Sequence, residues 1–142
     1  MLGSSTAEYV EVSALFYQSA SRGDISIKTI WRIENDDLRE CFEFNWTRME
    51  KKLGDCGQGA VRRLFHGTKR EHIEAICRQG FDWRLSGSTS GTTYGRGSYF
   101  ARDAIHAAMF GDRDTMFLAQ ASLADQLLGD HCLCPVSDQL AP

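Results

Sequence analysis

The 142 residues, 42% hydrophobic and 25% charged, describe one ordinary globular domain with enough chain to bury a core. A formal net charge of -3 with no long basic run excludes a global drive toward nucleic acid or an anionic membrane surface. Five unevenly spaced cysteines do not read as a disulfide framework, and neither a signal peptide nor a bilayer-length apolar run is expected, so a reducing compartment, nucleus or cytoplasm, is the expected setting.

Residues 1 to about 6 read as a loose start. Val12, Leu15, Phe16 and Ser19 recur at i, i+3, i+4 spacing and predict a helix over 7–20, ended by Ser21-Arg22-Gly23-Asp24. Ile25, Ile27, Thr29, Trp31 and Ile33 alternate with polar residues and predict a half-buried strand. Asn35 is placed to N-cap a helix over 36–53, with Asp36 and Asp37 in its first turn and an apolar face of Leu38, Phe42, Trp46, Met49 and Leu53. Lys51, Lys52 and Gly54 mark its end, and Asp55–Ala60 reads as a loop. A strand is expected over Val61–Phe65, running into His66-Gly67-Thr68, then a short helix over Glu71–Gln79 with Ile73, Ile76 and Cys77 inward and Gly80 as C-cap. Residues 82–97, rich in Gly, Ser and Thr, read as a long loop of the kind that covers a ligand. Ser98–Ala101 is expected as a short strand, Asp103–Phe110 as a helix, and Thr115–Leu123 as a strand with Phe117, Ala119, Ala121 and Leu123 on one face.

Two stretches carry candidate chemistry. In His66-Gly67-Thr68 the imidazole can hydrogen-bond a ligand hydroxyl, and the glycine lets a flat ligand reach the backbone N–H and C=O. Taken alone, the same residues read first as a structural histidine beside a turn glycine. In Tyr94-Gly95-Arg96-Gly97-Ser98-Tyr99-Phe100-Ala101 the glycines allow close approach and the aromatics can stack on a ring, or the stretch is a glycine-rich turn entering a core strand. It is not a dinucleotide fingerprint, because no helix opens on the glycines, and Gly67-Thr68-Lys69 lacks the spacing of a phosphate-binding loop. His131, Cys132 and Cys134 are too crowded for a tetrahedral metal site, so no metal is expected. Trp31, Trp46 and Trp83 read as packing residues, and no paired carboxylates or Ser-His-Asp arrangement stands out.

The ordered series Leu64-Phe65-His66-Gly67-Thr68, Ile76-Cys77, Gly80-Phe81-Asp82-Trp83-Arg84 and Tyr94 through Ala104 resembles the NAD-binding half of the catalytic domain of the poly(ADP-ribose) polymerase (PARP) family, in its mono-ADP-ribosylating, zinc-finger-associated branch. Ile25–Ile33, Asn35, Leu38, Phe42 and Trp46 resemble that branch's opening strand and helix, and Met116-Phe117-Leu118-Ala119 its next core strand, so the resemblance covers about 8–130 of a single domain, 1–142. It implies an α+β fold, the ADP-ribosyltransferase fold, with a split, mostly antiparallel sheet and flanking helices, here expected to be incomplete before the final strands.

The resemblance further implies that NAD is the co-substrate, with no metal, and that protein side chains accept single ADP-ribose units. The charge balance and the lack of a long apolar run lead us to expect no direct nucleic-acid site and no membrane partner. His66 and Tyr99 would be the catalytic residues. His66, Gly67, Thr68, Tyr94, Tyr99, Ala107 and Phe110 would hold NAD: His66 on the adenosine ribose, Gly67 on the nicotinamide carboxamide through its backbone, Tyr99 lining the nicotinamide pocket and Phe110 in the place of a stacking tyrosine. The family places a serine eight residues after the motif tyrosine, and Ala107 stands there. A hydroxyl at Ala107 is expected to tighten ligands, and Gly67→Trp to fill the pocket while the strand end still folds. A catalytically inactive PARP-like interaction or RNA-defence module is the alternative reading.

Overall fold

Thr6 opens the first helix, α1 (Ala7–Ser19), its hydroxyl oxygen accepting from the Tyr9 amide at 3.2 Å. The computed structural model describes residues 1–20, 25–53, 61–85 and 97–122. Asn35 starts the second helix, α2 (Asp36–Leu53), with its Oδ1 accepting from the Leu38 amide at 3.1 Å. Strand β1 (Val61–Gly67) carries the His-Gly pair at its end, two residues further than the predicted Val61–Phe65. A 3-10 turn at Arg70–His72 leads into α3 (Ile73–Gln79), which Gly80 stops at φ 76° while its amide donates to Ile76 O. The helix expected over Asp103–Phe110 is one turn of α-helix, α4 (Ala104–Ala107), continued by looser turns. β2 (Met116–Ser122) completes the described elements.

β1 and β2 pair antiparallel from Val61 opposite Ser122 to Gly67 opposite Met116. Directly opposed residues share a face of the ladder, so the two faces can be read off this register. On one face Phe65, Met116 and Leu118 meet Phe16 and Ala20 from the end of α1 and Ala101, Ala104 and Ala107. On the other face Leu64, Ala119 and Ala121 pack with Phe81 and Phe100. The predicted face of Phe117, Ala119 and Ala121 is therefore the observed one; Leu123 lies outside the described residues, as do Gly54, 55–60 and residues 86–96 of the predicted loop.

Two predicted strands differ. Ser98–Ala101 forms a single antiparallel bridge, Phe65 to Ala101, closed by two 2.8 Å backbone bonds. The segment 25–33 forms no strand, because a strand needs a paired neighbour and alternation only specifies a face. Its backbone is engaged elsewhere: Ile30 O accepts from the Leu2 amide at 2.9 Å, and the Ile27 amide donates to the Tyr17 hydroxyl at 3.3 Å. Ile25 and Ile27 do reach the α1-side core, while Trp31 is 67% and Ile33 44% exposed. An ion pair between Arg32 and Glu8 ties the segment to α1.

Candidate active site

The candidate site gathers at the C-terminal end of β1. Alternation points the side chain of His66 to the Leu64 face and leaves Gly67 on the Phe65 face. The His66 ring sits edge-on to Phe81, with centroids 4.8 Å apart, and 5.3 Å from the Phe100 ring; Phe81 in turn is 4.8 Å from Phe100. His66 Nδ1 lies 2.8 Å from the backbone carbonyl oxygen of Tyr99. A carbonyl only accepts, so Nδ1 carries the proton and donates, which fixes the tautomer and leaves the lone pair on Nε2. Burial among the aromatic rings pushes the imidazole below its ordinary 6.5, opposed by the bond to the Tyr99 carbonyl, so the ring is neutral at physiological pH. A neutral, oriented Nε2 is an acceptor suited to a ligand hydroxyl.

Gly67 supplies the complementary pair. The N–H and C=O of Phe65 face Ala101, so the ladder bonds from β1 to β2 come from Arg62, Leu64 and His66. The same alternation turns the N–H and C=O of Gly67 toward the 97–101 side, one step beyond the Phe65–Ala101 bridge. No backbone partner meets either group there among the described residues. One donor and one acceptor side by side on a strand edge match the acceptor and donor of a carboxamide.

The wall opposite is α4 and the turn after it. A Cβ at Gly67 would stand 1.9 Å from the Ala107 carbonyl oxygen and 2.8 Å from that of Phe110, so glycine is required by close backbone approach. This corrects the expectation that Gly67→Trp would fill a pocket and leave the fold alone: any side chain there pushes on the wall. Gly111, at φ 75°, packs in turn on Thr68, whose atoms would lie 2.2 Å from an added Cβ. Thr68 is buried, and its carbonyl faces the Asp112 amide at 3.5 Å. Asp112 Oδ2 accepts from the Arg70 amide at 2.8 Å and Asp114 pairs with the Arg70 guanidinium at 2.7 Å, which holds that partner's carboxyl below the usual carboxylate range. The N-terminus of α4 is anchored from afar: the Ala104 amide donates to Ser19 Oγ at 2.7 Å.

Six of the seven predicted site residues are thus brought together: His66, Gly67 and Thr68 on one strand end, with Tyr99, Ala107 and Phe110 around it. Tyr94 lies outside the described residues, as do His131, Cys132 and Cys134. Ala107 is 2% exposed, with its methyl group in the apolar cluster of Phe16, Phe65 and Ala104. Phe110 is 43% exposed, its ring 5.9 Å from that of His106. Sequence reasoning did not find Phe81 and Phe100 as the aromatic surround of His66, because such contacts have no periodic signature. Gly111 was findable: Gly-Asp-Arg-Asp at 111–114 is turn composition.

Residues 6–139 match the family described as the poly(ADP-ribose) polymerase catalytic domain. The chain is 39% identical over 132 residues to protein mono-ADP-ribosyltransferase PARP12 of Mus musculus, covering 90% of this chain and 18% of that protein. It is 37% identical over 153 residues to protein mono-ADP-ribosyltransferase PARP11 of Mus musculus, covering 91% of this chain and 45% of that protein. With zinc finger CCCH-type antiviral protein 1 of Mus musculus the identity is 31% over 127 residues, 87% of this chain and 12% of the relative. The chain therefore spans less than half the length of each of these relatives. With a match over nearly its whole length, the chain belongs to the poly(ADP-ribose) polymerase catalytic-domain family.

Proposed function

We propose that this chain binds NAD at the end of β1 and serves the transfer of single ADP-ribose units to protein side chains, with release of nicotinamide. The observation that carries the reading is the pairing, on adjacent residues, of an edge donor and acceptor at Gly67 with a neutral, tautomerically fixed His66. Gly67 would hold the carboxamide of the leaving nicotinamide, and His66 Nε2 a ribose hydroxyl. Breaking the bond between nicotinamide and ribose develops positive charge on the sugar, so holding both ends of the donor fixed lowers the cost of reaching that state. The names of the PARP12 and PARP11 relatives support single-unit transfer and protein acceptors. A nuclear or cytoplasmic setting accompanies the proposal.

The test is binding of NAD and of nicotinamide by titration calorimetry, with labelled-NAD transfer alongside. His66→Ala should weaken NAD binding by about threefold to tenfold, the worth of one neutral hydrogen bond, and should leave nicotinamide binding intact. Equal NAD affinity in both proteins would remove His66 from the site. The second reading, a non-catalytic interaction or RNA-defence module, rests on Ala107: its buried methyl offers no hydroxyl to a carboxamide. Binding of NAD without any transfer of label would favour it.

A further inference from the structure

Asn35 does two things with one side chain. Its Oδ1 caps α2 by accepting from the Leu38 amide, and its Nδ2 donates to the Cys77 carbonyl at 3.0 Å and the Arg78 carbonyl at 3.1 Å, in the last turn of α3. The start of one helix is thereby tied to the end of another more than 40 residues away. Immediately after that tied turn comes Gly80, at φ 76°, in contact range of Leu38: a Cβ there would lie 3.3 Å from Leu38 Cδ2. The next residue is Phe81, whose ring stands against His66 at 4.8 Å, against Phe100 at 4.8 Å and against Phe117 at 5.9 Å.

We infer that Asn35 is a positioning residue for His66, acting through the α3 end and the Phe81 ring. The Tyr99 carbonyl fixes one edge of the imidazole, and Phe81 fixes its tilt, so both are needed to aim Nε2. Nothing else among the described residues ties the end of α3 to α2 by hydrogen bonds, so loss of the Asn35 donors frees the Gly80-Phe81 step to shift.

The role separates cleanly from helix capping. Asn35→Asp keeps an oxygen for the Leu38 amide, since aspartate caps as well as asparagine, but it cannot donate to the two carbonyls. The inference rests on the proposed NAD role of His66 only for its binding readout. Its first readout is the ring-nitrogen NMR signature of His66, which in the parent chain should show a single tautomer protonated at Nδ1. Asn35→Asp should retain the helical far-UV signal, yet give a mixed tautomer signature and weaken NAD binding by about threefold to tenfold. Phe81→Leu, which keeps apolar volume but removes the flat ring, should do the same, and the double variant should be no worse than either single one. If Asn35→Asp fails to fold, Asn35→Ser, which keeps a capping oxygen on a side chain too short to reach the two carbonyls, takes its place. An unchanged His66 signature in the folded variants overturns the inference, as does full additivity in the double. A shifted signature with NAD affinity unchanged, in a protein where His66→Ala also leaves it unchanged, upholds the positioning role and sinks the NAD reading instead.

Discussion

Helix α2 runs for 18 residues with a cap, two acids in its first turn, two lysines in its last and a regular apolar stripe, yet none of its described side chains is fully buried. Helix α4 has four residues and no side-chain cap of its own, yet Ala104 is 0% and Ala107 2% exposed, and its carbonyls form one wall of the candidate site. The difference is a matter of size. Long side chains at 3.6 spacing announce a helix but keep it at arm's length from its neighbours. Alanines opposite glycines say little in sequence and allow backbones to touch, and at the candidate site the edge donor and acceptor are backbone groups of Gly67.

Atoms added where the backbones touch should have the largest effect. Gly67→Ala and Gly111→Ala should each cost about 3 kcal/mol or more, the upper end for overpacking, because the atoms they meet are backbone that cannot rotate away. Urea unfolding would measure it, and a cost below about 1 kcal/mol would mean that α4 yields easily. Ala104→Leu, in the fully buried position, should cost about 1–3 kcal/mol by the same assay. Ser19→Ala removes the acceptor for the Ala104 amide and should cost about 1 kcal/mol, as loss of a helix cap does, although the cap comes from another helix.

Acid sharpens the contrast further. Because burial lowers the His66 pKa from its ordinary 6.5, the unfolded chain takes up a proton there before the folded one does. The stability this contributes is complete above pH 6.5 and is lost as pH falls from 6.5 through the lower folded value. Denaturant midpoints at pH 7.5 and 5.5 should therefore differ, with a smaller difference in His66→Gln. Glu11, Asp82 and Asp114, all lowered by arginine partners, lose their contributions only at more acid pH, below their ordinary 4.5 and 3.8. Smallest of all, Phe44→Ala on the outer face of α2, where the ring is 64% exposed and 5.7 Å from the Arg48 guanidinium, should change stability by no more than about 0.5 kcal/mol.

Much of the scaffold was legible because it is local. The cap at Asn35, the stop at Gly80 and the alternation of Met116–Ser122 each depend on a few neighbouring residues, and each appears where the pattern placed it. The candidate site was legible through ordered motifs rather than periodicity. What stayed hidden was everything set by distant partners. The alternation of 25–33 has no memory of Leu2 and Tyr17, which take up its backbone groups. Ser19 looked like one more inward position of α1, whereas its hydroxyl caps a helix 85 residues away. Phe81 gave no sign that it would lie against His66.

The single bridge between Phe65 and Ala101 has a consequence for what a ligand at Gly67 would be. Beyond that bridge, the next groups of β1 aimed to the same side are the N–H and C=O of Gly67. A carboxamide bound there would extend the ladder by one rung, a third strand one peptide unit long. Sheet hydrogen bonds protect amides from exchange with solvent, so such a ligand should slow deuterium uptake at Gly67 and, by closing the open end of the bridge, at Ala101 as well. Bound nicotinamide would then be read by the protein as a missing piece of its own backbone.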